Sequence, residues 1–337
     1  GVVVAGNLPN ATRFGNVPEY KAIQMMFGAV GSGQGDRPGI VVAGNPDPVS
    51  ARHHGQQAFG IGLTQRTCAF QIIKAVSEAA MPGDLSLADL ANYRARERDP
   101  VCLAYRGRNI CGMPPPTSGG VTSLQIMGLI ERFDIGAMAP GSAKAVHLIS
   151  EASRLAFADR NLYLADPDFV DQPVAGLLAP DYLKSRSALI DASKSMGKAQ
   201  AGNPAGRRGS LEPGDDRSLP ATSHFSIVDA QGNAVSMTTS IESAFGAHLM
   251  ASGFLLNNQL TDFSFTGVRD GALIANRVEG GKRPRSSMSP TIVLDSEGRL
   301  VAALGSPGGS RIVGYVANSL VAVLDWQLSM KDAVSLP

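Results

Sequence analysis

The chain has 337 residues, 44% of them hydrophobic and 18% charged, with a net charge of +1. These proportions suit a soluble globular protein with a sizeable core, and the length allows one to three domains. No basic cluster exceeds short pieces such as Lys282-Arg283-Pro284-Arg285, which excludes an electrostatically driven nucleic-acid partner.

The chain opens with Gly1-Val2-Val3-Val4, without a Met start or a signal-peptide pattern, and so reads as a processed or truncated product. Residues 1–60 are rich in Gly, Pro and Asn and show little periodicity. Gly31-Ser32-Gly33-Gln34-Gly35 lacks the Gly-Lys-Ser/Thr ending of a phosphate loop and the glycine spacing of a dinucleotide fold. A helix is expected over 66–80. Ser86-Leu87-Ala88-Asp89 then reads as a capping box before a short helix through Tyr93. Val101–Met113 reads as a hairpin turning at Arg106-Gly107, which sets Cys102 opposite Cys111 across the ladder. Such a pair can be bonded or free; two small buried residues is the reading that the pattern favours. The third cysteine is Cys68, and no CxxC pair exists to suggest zinc or thioredoxin-like chemistry.

Beyond the loop Met113–Gly120 an amphipathic helix is expected over 121–133. A longer one follows over about 142–164, with Ala145, Leu148, Ile149, Ala152, Leu155 and Ala156 on its apolar stripe. Residues 197–221 are polar, rich in Gly and Pro, and expected to be exposed and mobile. Immediately afterwards the pattern becomes β: His224–Asp229, a turn at Ala230-Gln231-Gly232-Asn233, and Ala234–Ile241. Another hairpin is expected over Thr291–Leu304, turning at Ser296-Glu297-Gly298. The apolar stretch from Ile312 to Leu328 is broken by Gly314, Asn318, Asp325 and Gln327. It is too short and too interrupted for a bilayer span of about 20 residues, and reads as a helix covering a sheet. Helices, then antiparallel strands, then a covering helix imply a layered α/β sandwich.

Three places could carry chemistry. At Ala221-Thr222 a polar linker runs straight into a strand whose first residue bears a hydroxyl. Cleavage there would leave Thr222 with a free α-amine, whose pKa of about 8 makes it a usable base beside its own nucleophilic hydroxyl. The alternative is a Thr that starts a strand because Thr favours strands. Gly305–Arg311 lies between a strand and an apolar helix. Its glycines can turn two backbone N–H groups toward one oxyanion, with a helix N-terminus adding partial positive charge, or can simply make a tight turn. Lys282–Pro290 sets paired hydroxyls beside cations, which suits a carboxylate, or is a polar loop before a strand. Five scattered histidines, with only His53-His54 adjacent, and the absence of HExxH and GxSxG make metal and Ser-His-Asp hydrolases weaker choices.

Thr222–Asp229 with Gly232–Val235, Leu255–Gln259 with Asp262-Phe263, Lys282–Pro290 and Gly305–Arg311 resemble the γ-glutamyltranspeptidase family in order and spacing. Met113–Gly120 and Ala165–Val170 extend the likeness upstream, so that about residues 83–337 are covered. The resemblance implies a four-layer αββα sandwich of the N-terminal-nucleophile hydrolase type, one domain cut into two chains that stay together as a heterodimer. Residues 1–221 would be the large-subunit portion and 222–337 the small, both read as incomplete at their outer ends. It implies self-cleavage between Ala221 and Thr222, with Thr222 as nucleophile and Ser240 as a hydroxyl assisting it. Gly308 and Gly309 would form the oxyanion hole. Ser286 and Ser287 would hold the substrate's α-carboxylate, and Gln259 and Asp262 would lie near its α-amino group. The implied substrate is a small-molecule amide such as a γ-glutamyl compound, with no metal or organic cofactor. The implied compartment is periplasmic or secreted. Glu242 departs from the pattern, since an asparagine stands there in the best-known glutathione-handling members. It lies two residues past Ser240, on the same strand face, and either meets substrate or pairs with a cation such as Arg283. The family's α-carboxylate-binding arginine, from its N-terminal region, has no counterpart identified in this chain. These departures leave two alternatives: an acylase or amidase of other specificity, cutting oxamate-like or β-lactam side-chain amides, or an unprocessed relative with a binding role.

Overall fold

The computed structural model describes residues 2–7, 20–25, 67–214 and 222–336, the first two segments as strand backbone. Gly31–Gly35, His53-His54 and the linker residues 215–221, Ala221 included, lie outside the described residues. The sparse periodicity of the N-terminal region conceals two strands, β1 (Val2–Asn7) and β2 (Tyr20–Met25). Helix α1 spans 67–77. Helix α2 (Leu87–Asn92) starts at the expected capping box: Ser86 Oγ accepts from the Asp89 amide, and the Ser86 amide donates to the Asp89 carboxylate at 2.8 Å. After β3 (Arg96–Arg98), strands β4 (Val101–Tyr105) and β5 (Arg108–Gly112) form the expected hairpin. Its two turn residues, Arg106 and Gly107, both have positive φ (48° and 71°), the geometry that matches the strand twist. Cys102 and Cys111 pair across it and form a disulfide, Cys111 buried and Cys102 exposed, while Cys68 is a free buried thiol.

Helix α3 (Gly119–Ile130) corrects the amphipathic expectation. It begins two residues earlier, ends three earlier, and all its residues but Gly128 are buried. It is buried on every side because neighbours surround it: α4 (Ala143–Tyr163), α6 (Pro180–Ser187), α7 (Ile312–Leu324) and the β4–β5 hairpin. Gly119 permits this start, since a Cβ there would collide with the Met288 carbonyl. Helix α4 runs as expected from its Ser142 cap, with the whole predicted stripe buried. A single turn, α5 (Val174–Leu177), joins it to α6. The polar stretch beyond 197 is exposed in large part, yet it is tied down. The Gly202 amide donates to Asp159 at 2.7 Å, Tyr163 donates to the Gly202 carbonyl, and Arg186 donates to the Gln200 carbonyl. Farther on, β6 (Leu211–Glu212) forms a strand.

Strands β7 (Thr222–Val228) and β8 (Ala234–Ser240) form the hairpin expected after the linker. Short strands β9 (Met250–Ala251), β10 (Phe254–Leu255), β11 (Val268–Arg269) and β12 (Ala272–Ile274) follow, β12 pairing in parallel with β6. The last hairpin is β13 (Thr291–Leu294) with β14 (Leu300–Leu304), and α7 and a short α8 (Met330–Ala333) end the described chain. Two main sheets result, ordered β3-β2-β1-β8-β7 and β14-β13-β5-β4. Large apolar side chains fill the space between the four-stranded sheet and the helices, among them Ile110, Val293, Leu124, Leu148 and Leu320. The other face of that sheet meets the five-stranded sheet through smaller and more polar contacts. Ala234 packs with Ile292 and Leu294, and buried Ser236 accepts from the Thr291 amide and donates to the Leu304 carbonyl. No helix among the described residues is long and apolar enough to cross a membrane.

Candidate active site

Side chains alternate along β7 and β8, so Thr222, His224 and Ser226 share one face and stand opposite Ser240, Thr238 and Ser236. This inward face is a ladder of hydroxyls. Thr222 opens it, and its Oγ1 donates to Ser240 Oγ at 3.1 Å. The Glu242 amide donates to the same Ser240 oxygen at 2.9 Å, which orients the hydroxyl toward Thr222.

Eight of the sequence-predicted site residues line one small cleft: Thr222, Ser240, Glu242, Gln259, Asp262, Ser286, Ser287 and Gly309. Gly308 is adjacent but outside the lining, and Ala221 lies beyond the described residues. Gln259 and Asp262 sit at the two ends of a single 3-10 turn, and Gln259 donates to the Asp262 carboxylate at 3.0 Å. The Gln259 carbonyl oxygen is buried and accepts no hydrogen bond among the described residues. On the other wall, Ser286 Oγ accepts from the Met288 amide, and Ser287 Oγ accepts from Arg160. Neither serine hydroxyl hydrogen has an acceptor among the described residues. The loop bearing these serines is held at its start by Asp166, fully buried, which accepts from the Arg283 amide at 2.8 Å.

The strand-to-helix turn after β14 places Gly308 at φ 135° and Gly309 at φ 59°, both in the left-handed half of backbone space that glycine alone enters cheaply. A Cβ on Gly308 would also lie 2.8 Å from the Tyr315 ring. Gly309 is buried, faces the cleft and begins the turn that leads into α7. Glu242 is 4% exposed and itself has φ 73°. Its carboxylate accepts from Ser243 Oγ and from Asn258 Nδ2 at 2.6 Å. The expected alternative partner, Arg283, instead sits against Asp166 and Asp168.

Sequence reasoning missed three residues here. His224 packs against Gly305, with ring nitrogens hydrogen-bonded to Thr238 and Ser226, and burial pushes its pKa down to about 4. Arg160 and Ser118 stand behind the serine wall. A charged pair, Asp159-Arg160, at the end of an apolar helical stripe was the available signal, because long charged residues are seldom fully buried without a specific role.

A profile of the family described as Gamma-glutamyltranspeptidase matches residues 64–337. The chain belongs to the γ-glutamyltranspeptidase family. The family match begins upstream of the expected start near residue 83. The glutathione hydrolase proenzyme of Escherichia coli (strain K12) is 40% identical over 264 residues, 76% of this chain and 44% of that protein. The acylase ACY 1 proenzyme of Pseudomonas sp. (strain SE83) is also 40% identical, over 261 residues, 77% of this chain and 44% of that protein. The chain thus spans about half the length of the curated relatives it matches. In fold it is similar to the cephalosporin acylase of Bacillus halodurans, with a TM-score of 0.67 over 81% of this chain and 46% of that one, at 21% identity.

Proposed function

We propose that this family member is a self-cleaving N-terminal-nucleophile amidase acting on γ-glutamyl compounds by hydrolysis or acyl transfer. The observation that carries the reading is the complementary wiring of the cleft. One wall offers two serine hydroxyl hydrogens without acceptors, and the other offers an unsatisfied Gln259 oxygen beside the Asp262 carboxylate. Two donors suit an α-carboxylate, and two acceptors suit an α-ammonium group. The head of an α-amino acid carries both, and Thr222 lies in the same cleft.

The backbone breaks between Ala221 and Thr222, leaving 1–221 and 222–337 as two chains of one domain. The Thr222 hydroxyl then attacks the amide carbonyl, its own α-amine taking the proton. Amides of Gly308 and Gly309 receive the oxyanion. The C–N bond breaks, the leaving amine takes the proton, and water or an acceptor amine releases the acyl group from Thr222. Ser240 holds the nucleophile's hydroxyl in place. His224, neutral near pH 7 and occupied at both nitrogens, leaves the α-amine as the base. We also propose a second helical layer, completing an αββα sandwich. Phe225, Ile227, Val235 and Met237 on the outward face of the β7–β8 hairpin support it, Ile227 being 53% exposed.

An acylase of other specificity is favoured by one observation, the Glu242 carboxylate in the cleft, which would disfavour a substrate carboxylate nearby. Intact-mass measurement decides processing: a chain beginning at Thr222 is expected, and Thr222→Ala should remain single and inactive. An uncleaved wild type with full amidase activity would refute the mechanism. Turnover of γ-glutamyl-p-nitroanilide against a β-lactam side-chain amide separates the two specificities.

A further inference from the structure

Arg160 lies in the last turn of α4 and is 1% exposed. Its guanidinium grips the serine wall at two points. Nε donates to Ser118 Oγ at 2.8 Å, and one terminal nitrogen donates to Ser287 Oγ at 2.6 Å. Ser118 passes the interaction on: its hydroxyl and its amide both donate to the Ser286 carbonyl at 2.7 Å. A third arm of the fork donates to Asn161 at 2.9 Å.

Guanidinium nitrogens only donate, so both serine oxygens must act as acceptors toward Arg160. Each hydroxyl then keeps one hydrogen for another partner. The hydrogen of Ser118 goes to the Ser286 carbonyl, and that of Ser287 has no acceptor among the described residues while its side chain lines the cleft. An uncharged hydroxyl could otherwise turn its lone pairs toward the cleft and repel an anion. We propose that Arg160 is a positioning residue that fixes Ser287 as a hydrogen-bond donor into the cleft, there to receive the substrate's α-carboxylate. The fixed cation one hydroxyl behind also polarises that donor. Arg160 never touches substrate and acts through Ser287. A guanidinium fork suits the task because it holds both hydroxyls at once, which an ammonium group cannot do with the same geometry.

This inference rests on the γ-glutamyl reading, and the test keeps the two apart. It compares kcat/KM for γ-glutamyl-p-nitroanilide with that for 4-aminobutyryl-p-nitroanilide, the same compound without its α-carboxylate. The wild type should prefer the carboxylate-bearing substrate. Arg160→Gln should lower the preference about tenfold or more, as expected for losing a hydrogen bond to a charged group. The loss should appear in KM rather than kcat. In a Ser287→Ala background Arg160→Gln should cause no further fall. A wild type without preference overturns the γ-glutamyl reading and this inference with it. A preferring wild type whose Arg160→Gln variant loses both activities equally makes Arg160 a structural brace and overturns the inference alone. Should Arg160→Gln give no processed protein, Arg160→Lys decides. Lys can satisfy one hydroxyl but not both, and an unchanged preference there overturns the inference.

Discussion

At φ 73° Glu242 occupies a backbone region that costs an ordinary side chain about 1–2 kcal/mol and that asparagine tolerates far better. The asparagine that the family resemblance leads one to expect here would suit this backbone better than the glutamate does. Glu242→Asn therefore removes a carboxylate from the cleft and relieves strain, which offsets the loss of the hydrogen bonds that Ser243 and Asn258 donate to the longer Glu242 side chain. The variant should raise kcat/KM for γ-glutamyl-p-nitroanilide several-fold without lowering the melting temperature. An efficient wild type and a slower variant would mean that Glu242 assists γ-glutamyl recognition. His224 makes a second prediction at this scale. Its folded pKa of about 4 lies below the ordinary 6.5, so the unfolded chain binds a proton more readily between those values. Stability from this group is complete above about pH 6.5 and is lost as pH falls toward 4. His224→Gln should flatten that part of the melting-temperature profile, and an unchanged profile would show that the ring is not buried as described.

The turn between β14 and α7 sets the terms for testing the proposed oxyanion role of Gly308 and Gly309. A β-branched residue at φ 59° would strain the fold itself, so Gly309→Val would confound folding with turnover. Gly309→Asn is the cleaner probe, because asparagine enters that region at less cost and adds a side chain to a residue that lines the cleft. The variant keeps the backbone N–H but crowds the place of the oxyanion; losing a donor outright costs about 10²–10³ in turnover, so a clear loss of up to that size is expected with the melting temperature little changed. Unchanged kinetics would reduce the glycines to a turn. Local signals made several elements legible in the sequence: Ser86 with Asp89 marks a helix start, and Arg106-Gly107 marks a hairpin. Helix α3 was misread because burial on every side is a property of its neighbours. Gly119 and Gly120 look like turn residues yet start the helix, since only glycine fits against Met288 and Met113. The serine pair, Thr222 and the glycine turn were legible as family blocks. Arg160 was not, because its meaning lies in the two serines it joins, 42 and 127 residues away.

Both main sheets are seamed across the proposed cleavage point. In the five-stranded sheet β1 pairs with β8 from Val2↔Thr239 to Gly6↔Val235, joining a strand before Ala221 to one after it. In the four-stranded sheet β5 pairs with β13 from Gly112↔Thr291 to Asn109↔Leu294. The core is shared in the same way, with Leu124 and Leu148 from one side packed in a cluster with Val316 and Leu320 from the other. Separating the chains would expose four unpaired strand edges, two at each seam, and a hydrophobic face, each strongly unfavourable in water. Cutting the linker changes none of these contacts, since it runs through 215–221 and leaves Thr222 as the first residue of β7. The cleaved protein should therefore elute from a sizing column as one species, although it runs as two bands in denaturant. It should also melt in a single transition, with the chains parting only as the sheets unfold. Two species at native pH, or two separate transitions, would mean that the seams do not hold the fragments. The shared sheets would then be insufficient to account for a stable heterodimer.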